Sequence, residues 1–129
     1  MKNIFLIITL FISWNTFAVE KTWFCASEKR AGLQFSNNTW KSVTFKDKRM
    51  AVSQTDNNLK FSKNVLGFGS GKKCRLASHN LVTCTDYSTI FTLNQENGLA
   101  TSASTYGWLS GLDGGYDTLN TSLWKCESF

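Results

Sequence analysis

Apolar and polar residues alternate along much of the chain beyond position 20, as they do in β-strands that bury one face. The clearest case is the stretch from Cys74 to Cys84. When this stretch is folded about residues 78–80, Cys74 falls opposite Cys84, and Leu76 falls opposite Val82 on the same face. The pattern predicts a β-hairpin with a three-residue loop and a disulfide between its two strands.

Similar runs recur every 8–12 residues or so, separated by short polar turns, as in small barrels and sandwiches. The chain contains no proline, which would remove donors from a strand ladder. A short helical turn at 26–33 is the one exception that we consider. We therefore predict an all-β fold, a small antiparallel meander of about 8 strands that closes into a barrel or folds into a two-sheet sandwich. The other predicted strands lie around Trp23 and Cys25 and at 39–46, 50–52, 59–61, 89–93, 99–106 and 119–126.

The N-terminus has the three parts of a secretory signal peptide. Met1–Asn3 carries a lysine, Ile4–Ile12 is an apolar run too short to span a bilayer as a helix, and Thr16–Ala18 supplies small residues for cleavage. We expect residues 1–18 to be removed and residues 19–129 to form a single β domain. Such a domain would be secreted or periplasmic and would not span the membrane after cleavage.

Four cysteines in an exported chain are expected to form two disulfides. The hairpin pairs Cys74 with Cys84 and leaves Cys25 for Cys126. The second bridge joins the first strand to the last, as closure of a barrel requires. Its loop of roughly 100 residues would remove on the order of 4–5 kcal/mol of unfolded-state entropy. The sequence leaves open whether these two strands run parallel or antiparallel.

Positive charge is concentrated in one part of a chain whose net formal charge is +5. Between residues 41 and 75, nine lysines and arginines face only Asp47 and Asp56, whereas acidic residues predominate after residue 75. A basic face suits an acidic partner, although lysines on exposed strands also protect sheet edges from aggregation. Nucleic acid is not expected as the partner, because no basic helix or aromatic RNA-binding signature is present. The predicted basic face consists of Lys46, Lys48, Arg49, Lys60, Lys63, Lys72 and Lys73.

Residues 106–117 combine four glycines with two tyrosines, one tryptophan and two aspartates. Large aromatic side chains in a glycine-rich connection are typical of surfaces that bind sugars, peptides or proteins. The competing interpretation is that Trp108 and Leu109 fold back and plug one end of the barrel. The predicted partner-binding residues of this loop are Tyr106, Trp108, Asp113, Tyr116 and Asp117.

Signals for catalysis and for cofactor binding are weak. The run Gly67–Lys73 lacks the spacing of a phosphate-binding loop. His79 is the only imidazole and falls at the predicted hairpin turn, and bridged cysteines leave no thiol nucleophile. Asp113 and Asp117 form the only close carboxylate pair within one loop, and the cysteine spacing does not match a zinc site. We therefore predict no catalytic residues, no metal and no cofactor.

The sequence as a whole favours an exported, non-catalytic binding domain. Its partner would be another protein, as for an inhibitor or an immunity factor, or an acidic ligand of the cell envelope. One alternative is a lipocalin-like carrier, which needs an interior cavity of at least roughly 300 Å³ for its small apolar ligand. A second alternative is a small hydrolase that works through carboxylates. The oligomeric state is not indicated.

Overall fold

The computed structural model describes residues 20–62, 66, 68, 71–105 and 118–129, which form an antiparallel all-β structure. Within these ranges there is no helix long and apolar enough to cross a membrane. The predicted signal peptide, Lys63 and the partner-binding residues of 106–117 lie outside the described residues and stay predictions. The strands are β1 (Glu20–Ser36), β2 (Thr39–Thr44), β3 (Arg49–Thr55), β4 (Asn58–Phe61), β5 (Lys73–Ser78), β6 (Leu81–Thr85), β7 (Thr89–Asn94), β8 (Leu99–Ser104) and β9 (Thr118–Ser128).

The long first strand organises the sheet. β1 continues through residues 26–33, so the expectation of a helical turn there is wrong. The strand forms because its backbone is paired on both sides, with β3 and then β2 on one side and with β9 on the other. Buried and exposed side chains alternate from Trp23 to Ser27, and a bulge between Ser27 and Lys29 then places Arg30 on the buried face.

The strands follow the order β4-β3-β1-β9-β8-β7-β6-β5, with β2 paired to β1 outside this path. The predicted disulfide joins Cys25 of β1 to Cys126 of β9. These two strands are antiparallel, with Trp23 opposite Ser128. The sheet is therefore an almost closed barrel of the predicted kind, and not a sandwich of two sheets.

The seam of the barrel lies between β4 and β5, the two ends of the hydrogen-bonded path. Side chains connect the strands there. The Lys72 ammonium donates a hydrogen bond to the carbonyl of Leu59. The ring of Phe61 packs edge-to-face against Phe91 of β7, with 5.1 Å between the ring centres. These contacts connect β4 to Lys72, which directly precedes β5, and to β7 without a backbone ladder.

β5 and β6 form the predicted cysteine hairpin, and Cys74 is bonded to Cys84. The turn differs from the expected three-residue loop. The register shifts within β5, so that Ser78 pairs with Leu81 and the turn contains only residues 79–80. Because the irregularity lies between the cysteines and the turn, both sulfurs stay on the predicted side of the sheet.

The barrel interior has two parts. The end that carries the turns at 56–57, 79–80 and 95–97 is filled by apolar side chains, here termed the apolar core. Towards the other end, where β8 ends and β9 begins, several inward-facing side chains are polar and form what we term the polar layer. The apolar core consists of Trp23, Cys25, Met50, Val52, Leu59, Val82, Cys84, Phe91, Leu93, Ala100, Trp124 and Cys126. The polar layer consists of Ser27, Arg30, Thr89, Ser102 and Ser122.

At the end of the barrel that holds the apolar core, side-chain hydrogen bonds connect neighbouring elements and a glycine allows close packing of the backbone. The Trp23 indole donates to Gln54 Oε1 at 2.9 Å, and the Gln54 amide donates to Gln95 Oε1 at 2.9 Å. Gly98 has a φ of 71°, and a Cβ atom there would clash with the carbonyl of Cys126. Only glycine permits both this backbone conformation and the close approach of β9. This end of the barrel is consequently packed and hydrogen-bonded.

Candidate functional site

The fold divides the predicted basic face into two groups. One group lies between β2 and β3, beside the middle of β1. The other lies on both sides of the seam between β4 and β5. The first group consists of Lys46, Lys48 and Arg49, and the second of Lys60, Lys72 and Lys73.

Lys72 belongs to the structure of the seam. Besides its hydrogen bond to the Leu59 carbonyl, its Nζ lies 5.1 Å from the centre of the Phe61 ring. Burial lowers the pKa of Lys72 from its ordinary value of 10.5. Since this charge is engaged within the protein, the group around Lys48 and Arg49 is the better candidate for contact with an acidic partner.

Four large apolar side chains are half or more exposed on one outer face of the barrel. Phe24 of β1 is 53% exposed and Phe129 is 82% exposed, and their rings meet edge-to-face at 5.1 Å. Leu123 of β9 and Leu99 of β8 are 50% and 52% exposed. Because β1, β9 and β8 are neighbours, these side chains lie on one outer surface, in which Lys125 of β9 lies between Ala26 and Leu99. We term it the outer apolar face, consisting of Phe24, Ala26, Leu99, Leu123 and Phe129.

A groove of about 540 Å³ borders the outer apolar face where β1 lies between β3 and β9. Phe24 and Ala26 contribute apolar surface to its lining. Arg49 and Lys125 flank Ala26 in register from the two neighbouring strands, and Glu127 lies opposite Phe24. An apolar centre with a charged rim is typical of surfaces that bind other proteins.

Arg30 is the central residue of the polar layer and is only 8% exposed. Its Nε donates to Ser122 Oγ at 3.3 Å, and its Nη1 donates to the Lys46 carbonyl at 2.6 Å. On the neighbouring strands, the Trp124 indole donates to Ser102 Oγ at 2.9 Å. Ser122 and Ser102 are opposite each other in the β9–β8 register. Hydrogen-bonding side chains of the polar layer therefore lie on three adjacent strands, β1, β9 and β8.

Positive charge is only partly compensated around the polar layer. Burial lowers the pKa of Arg30, while the nearby Asp47 carboxylate acts in the opposite direction. Burial, and secondarily the charge of Arg30, lower the pKa of Lys48. The Asp47 carboxylate also accepts a hydrogen bond from Ser27, at 3.5 Å. A groove of about 480 Å³ lies beside Arg30, between β1 and residues 44–47. The groove is lined by both signs of charge, with Lys29, Arg30 and Lys46 beside Glu28 and Asp47.

The described residues give little support to metal or catalytic chemistry. In these parts of the chain, no group of three or more His, Cys, Asp and Glu side chains is placed to hold a metal ion. His79 is exposed in the turn between β5 and β6. Asp113 and Asp117 lie outside the described residues, so the hydrolase alternative stays an untested prediction.

Sequence reasoning singled out neither the polar layer nor the outer apolar face. A signal for the layer is present, because strand alternation assigns Ser102 and Ser122 to buried positions. The same alternation places Arg30 on the outer face, and the bulge in β1 reverses this. The exposure of Phe24 follows from alternation once Trp23 is assigned to the interior.

Comparison with known proteins adds no further guide to function. Protein-family models, curated proteins and solved structures gave no match to this chain.

Proposed function

We propose that this protein is an exported, non-catalytic binding domain that recognises another protein carrying acidic groups. The observation that supports this proposal is the outer apolar face, with Arg49 at its border and Lys125 between Ala26 and Leu99. Exposed apolar surface has a free-energy cost of roughly 25 cal/mol per Å², which a partner removes by covering it. Acidic groups on the same partner would pair with Arg49 at the edge of this face and with Lys125 within it, and would steer its association.

The proposed compartment follows from the cysteines and the N-terminal sequence. Both disulfides are formed in the structure, and small disulfide-bonded domains are typical of oxidising compartments. Residues 1–18 have the composition of a secretory signal peptide. Under this proposal the domain acts in the periplasm or outside the cell.

The packing of the apolar core is the reason for preferring protein recognition over transport of a small apolar molecule. Trp124, Phe91 and Leu93 are at most 1% exposed. Their side chains occupy the part of the barrel in which a lipocalin-like carrier would hold its ligand. Among the described residues, the large exposed apolar side chains of the outer apolar face lie on the outside of the barrel.

The proposal is tested by capturing proteins from an envelope extract on the immobilised, exported protein and then titrating the purified captured protein. We expect Phe24→Ser and Leu123→Ser each to weaken its binding at least about 10-fold, because each removes an apolar anchor from the contact. Arg49→Glu is expected to slow association and to change its salt dependence, since it reverses a charge at the rim.

Ile90→Ser is the matched control. Ile90 of β7 is 43% exposed but lies outside the outer apolar face, so this variant loses a comparable exposed side chain at another place. Its binding should equal that of the unchanged protein. If no protein is retained, or if Phe24→Ser and Leu123→Ser bind as tightly as Ile90→Ser does, the proposed function is wrong.

A further inference from the structure

The outer apolar face is complementary to itself, and we propose that a second copy of this chain covers it in a symmetric dimer. The inference rests on the proposed function, since it treats the same face as a protein-binding surface and names one partner with an acidic group. The two-fold axis of the dimer lies in the plane of the face and crosses β9 at right angles between Lys125 and Glu127. The dimer and a complex with another protein exclude each other, because both use this face.

Opposite charges on β9 select this axis. Lys125 and Glu127 are exposed on the same outer side of the strand, two positions apart. An axis between them reverses the strand direction in the second copy, so Lys125 of each copy lies opposite Glu127 of the other. An axis parallel to β9 would place Lys125 opposite Lys125 of the second copy, and contact between like charges is unfavourable. The antiparallel arrangement therefore supplies the counter-charge for Lys125 within the apolar face.

The side chains of β1 match about the same axis in size. Phe24 lies opposite Glu127 in the β1–β9 register, and Ala26 lies opposite Lys125. The axis therefore places Phe24 of one copy over Ala26 of the other, a large side chain against a small one. Ala26 and Arg49 line the groove of about 540 Å³. An incoming phenylalanine ring in this groove lies between Arg49 and Lys125, and cations contact aromatic faces favourably.

The outer ends of the contact pair two further apolar side chains. Phe129 and Leu123 lie equally far from the axis on its two sides, so Phe129 of one copy is placed over Leu123 of the other. Phe129 is already held in position, because its backbone N–H donates to the Thr22 carbonyl at 3.1 Å and its ring packs edge-to-face on Phe24. Association therefore requires little additional ordering of this side chain.

The exposed area indicates a weak dimer. Phe24 and Phe129 together leave roughly 270 Å² exposed per copy, if each side chain has about 200 Å² of surface. A stable interface buries about 800 Å² per partner, so neighbouring side chains have to supply the remainder. The outer surface of a barrel is convex, which confines close contact to β1, β9 and the adjoining edges of β3 and β8. We therefore expect a dissociation constant on the order of 10 µM.

The experiment is sedimentation velocity of the purified, exported and oxidised protein at concentrations from about 1 µM to about 1 mM. We expect a reversible monomer–dimer equilibrium that weakens as salt is added, because salt screens ion pairs between surfaces. Lys125→Glu and Glu127→Lys should each weaken dimerisation at least about 10-fold, since each places like charges opposite one another. Lys73→Glu is the matched control with the same change of net charge as Lys125→Glu. Lys73 is exposed on β5, away from the face, so this variant should dimerise as the unchanged protein does.

An equimolar mixture of the Lys125→Glu and Glu127→Lys proteins is the decisive measurement. The two variants carry opposite charges at both positions, so a mixed dimer regains both ion pairs and should form where neither variant dimerises alone. The proposal is overturned if the unchanged protein is monomeric throughout the concentration range, if Lys125→Glu dimerises as tightly as Lys73→Glu, or if the mixture forms no dimer.

Failure of this inference is distinguishable from failure of the proposed function. A monomeric protein that captures another protein from the envelope extract contradicts the dimer alone. A dimer that captures no other protein contradicts the proposed function and leaves the dimer supported.

Discussion

The apolar core and the polar layer are built on the same strands but differ in how their side chains are satisfied. Phe91 and Ser102 illustrate the difference, because they are opposite each other in the β7–β8 register. The core is filled by large side chains and completed by the hydrogen bonds of Trp23 and Gln54. In the polar layer, small hydroxyl groups accept hydrogen bonds from the Arg30 guanidinium and the Trp124 indole. We therefore expect the apolar core to contribute more to stability than the polar layer.

The alternation of inward and outward side chains does not by itself require the interior to be divided into an apolar core and a polar layer. β9 continues the same alternation from Trp124 to Ser122, and an apolar side chain at position 122 would extend the core. Burying a leucine or a valine contributes about 1.5–3 kcal/mol, which a serine does not. A sequence selected for stability alone would be expected to use that contribution. Ser122 and Ser102 instead accept hydrogen bonds from Arg30 and Trp124, so this part of the interior is organised by hydrogen bonds.

Breaking the two disulfides of the core should give the largest losses of stability. The Cys25–Cys126 bridge joins residues 101 apart in sequence, whereas Cys74–Cys84 joins residues 10 apart. In the chain-entropy model, replacing the first pair by alanines lowers the free energy of unfolding by about 4–5 kcal/mol, and replacing the second by about 2–3 kcal/mol. Urea denaturation of both double variants measures the difference. Equal losses would show that closure of the long loop is not what the first bridge contributes.

A matched pair of substitutions tests the two regions directly. Phe91→Ala removes a fully buried ring from the core and should cost about 3–5 kcal/mol. Ser102→Ala leaves the Trp124 indole without its acceptor and should cost only about 1–2 kcal/mol. Ile90→Ala, at the exposed position next to Phe91, should cost less than about 1 kcal/mol. If Ser102→Ala is as destabilising as Phe91→Ala, the two regions do not differ as described.

The architecture could be predicted from the alternation of apolar and polar residues and from the positions of the cysteines. Both constrain which residues lie close together, because side chains alternate between the faces of a strand and a disulfide joins two neighbouring residues. Pairing Cys74 with Cys84 sets the register of one hairpin, and pairing Cys25 with Cys126 sets the closure of the barrel. Local irregularities could not be predicted in this way. One additional residue in β1 reverses the face of every following side chain, and nothing in the sequence around Glu28 marks the position of that bulge.

The candidate surfaces are formed by residues from neighbouring strands. They could not be predicted from the sequence, because the sequence does not show the order of the strands in the sheet. Phe24, Leu99 and Leu123 are distant in sequence and become adjacent only through the order β1-β9-β8. The sequence shows that positive charge is concentrated between residues 41 and 75, but it could not show that Lys72 is engaged at the seam. Arg30 was missed because a single arginine in an alternating strand ordinarily faces water.

The smallest predicted effect is a change in the pKa of a lysine. Lys72 lies beside the apolar core and Lys48 beside the polar layer, so their pKa values can be compared between the two regions. The pKa of Lys72, at the seam beside the core, is lowered by burial. The pKa of Lys48, beside the polar layer, is lowered by burial and then by the charge of Arg30. Arg30→Gln should therefore raise the pKa of Lys48 and leave that of Lys72 unchanged. Titration of the lysine Cε signals by ¹³C NMR measures both.

The same shifts determine a dependence of stability on pH. Both lysines have a lower pKa in the folded protein than the ordinary value of 10.5, so the unfolded chain holds more protons between the folded pKa and 10.5. Because of these two lysines, the free energy of unfolding rises as the pH increases from the folded pKa to 10.5. Below the folded pKa their contribution lowers the free energy of unfolding. Arg30→Gln should decrease the part of the rise that comes from Lys48, because it removes one of the two causes of that shift. If the pKa of Lys72 instead changes as much as that of Lys48, the charge of Arg30 acts across the whole barrel, and the polar layer is not electrostatically separate from the core.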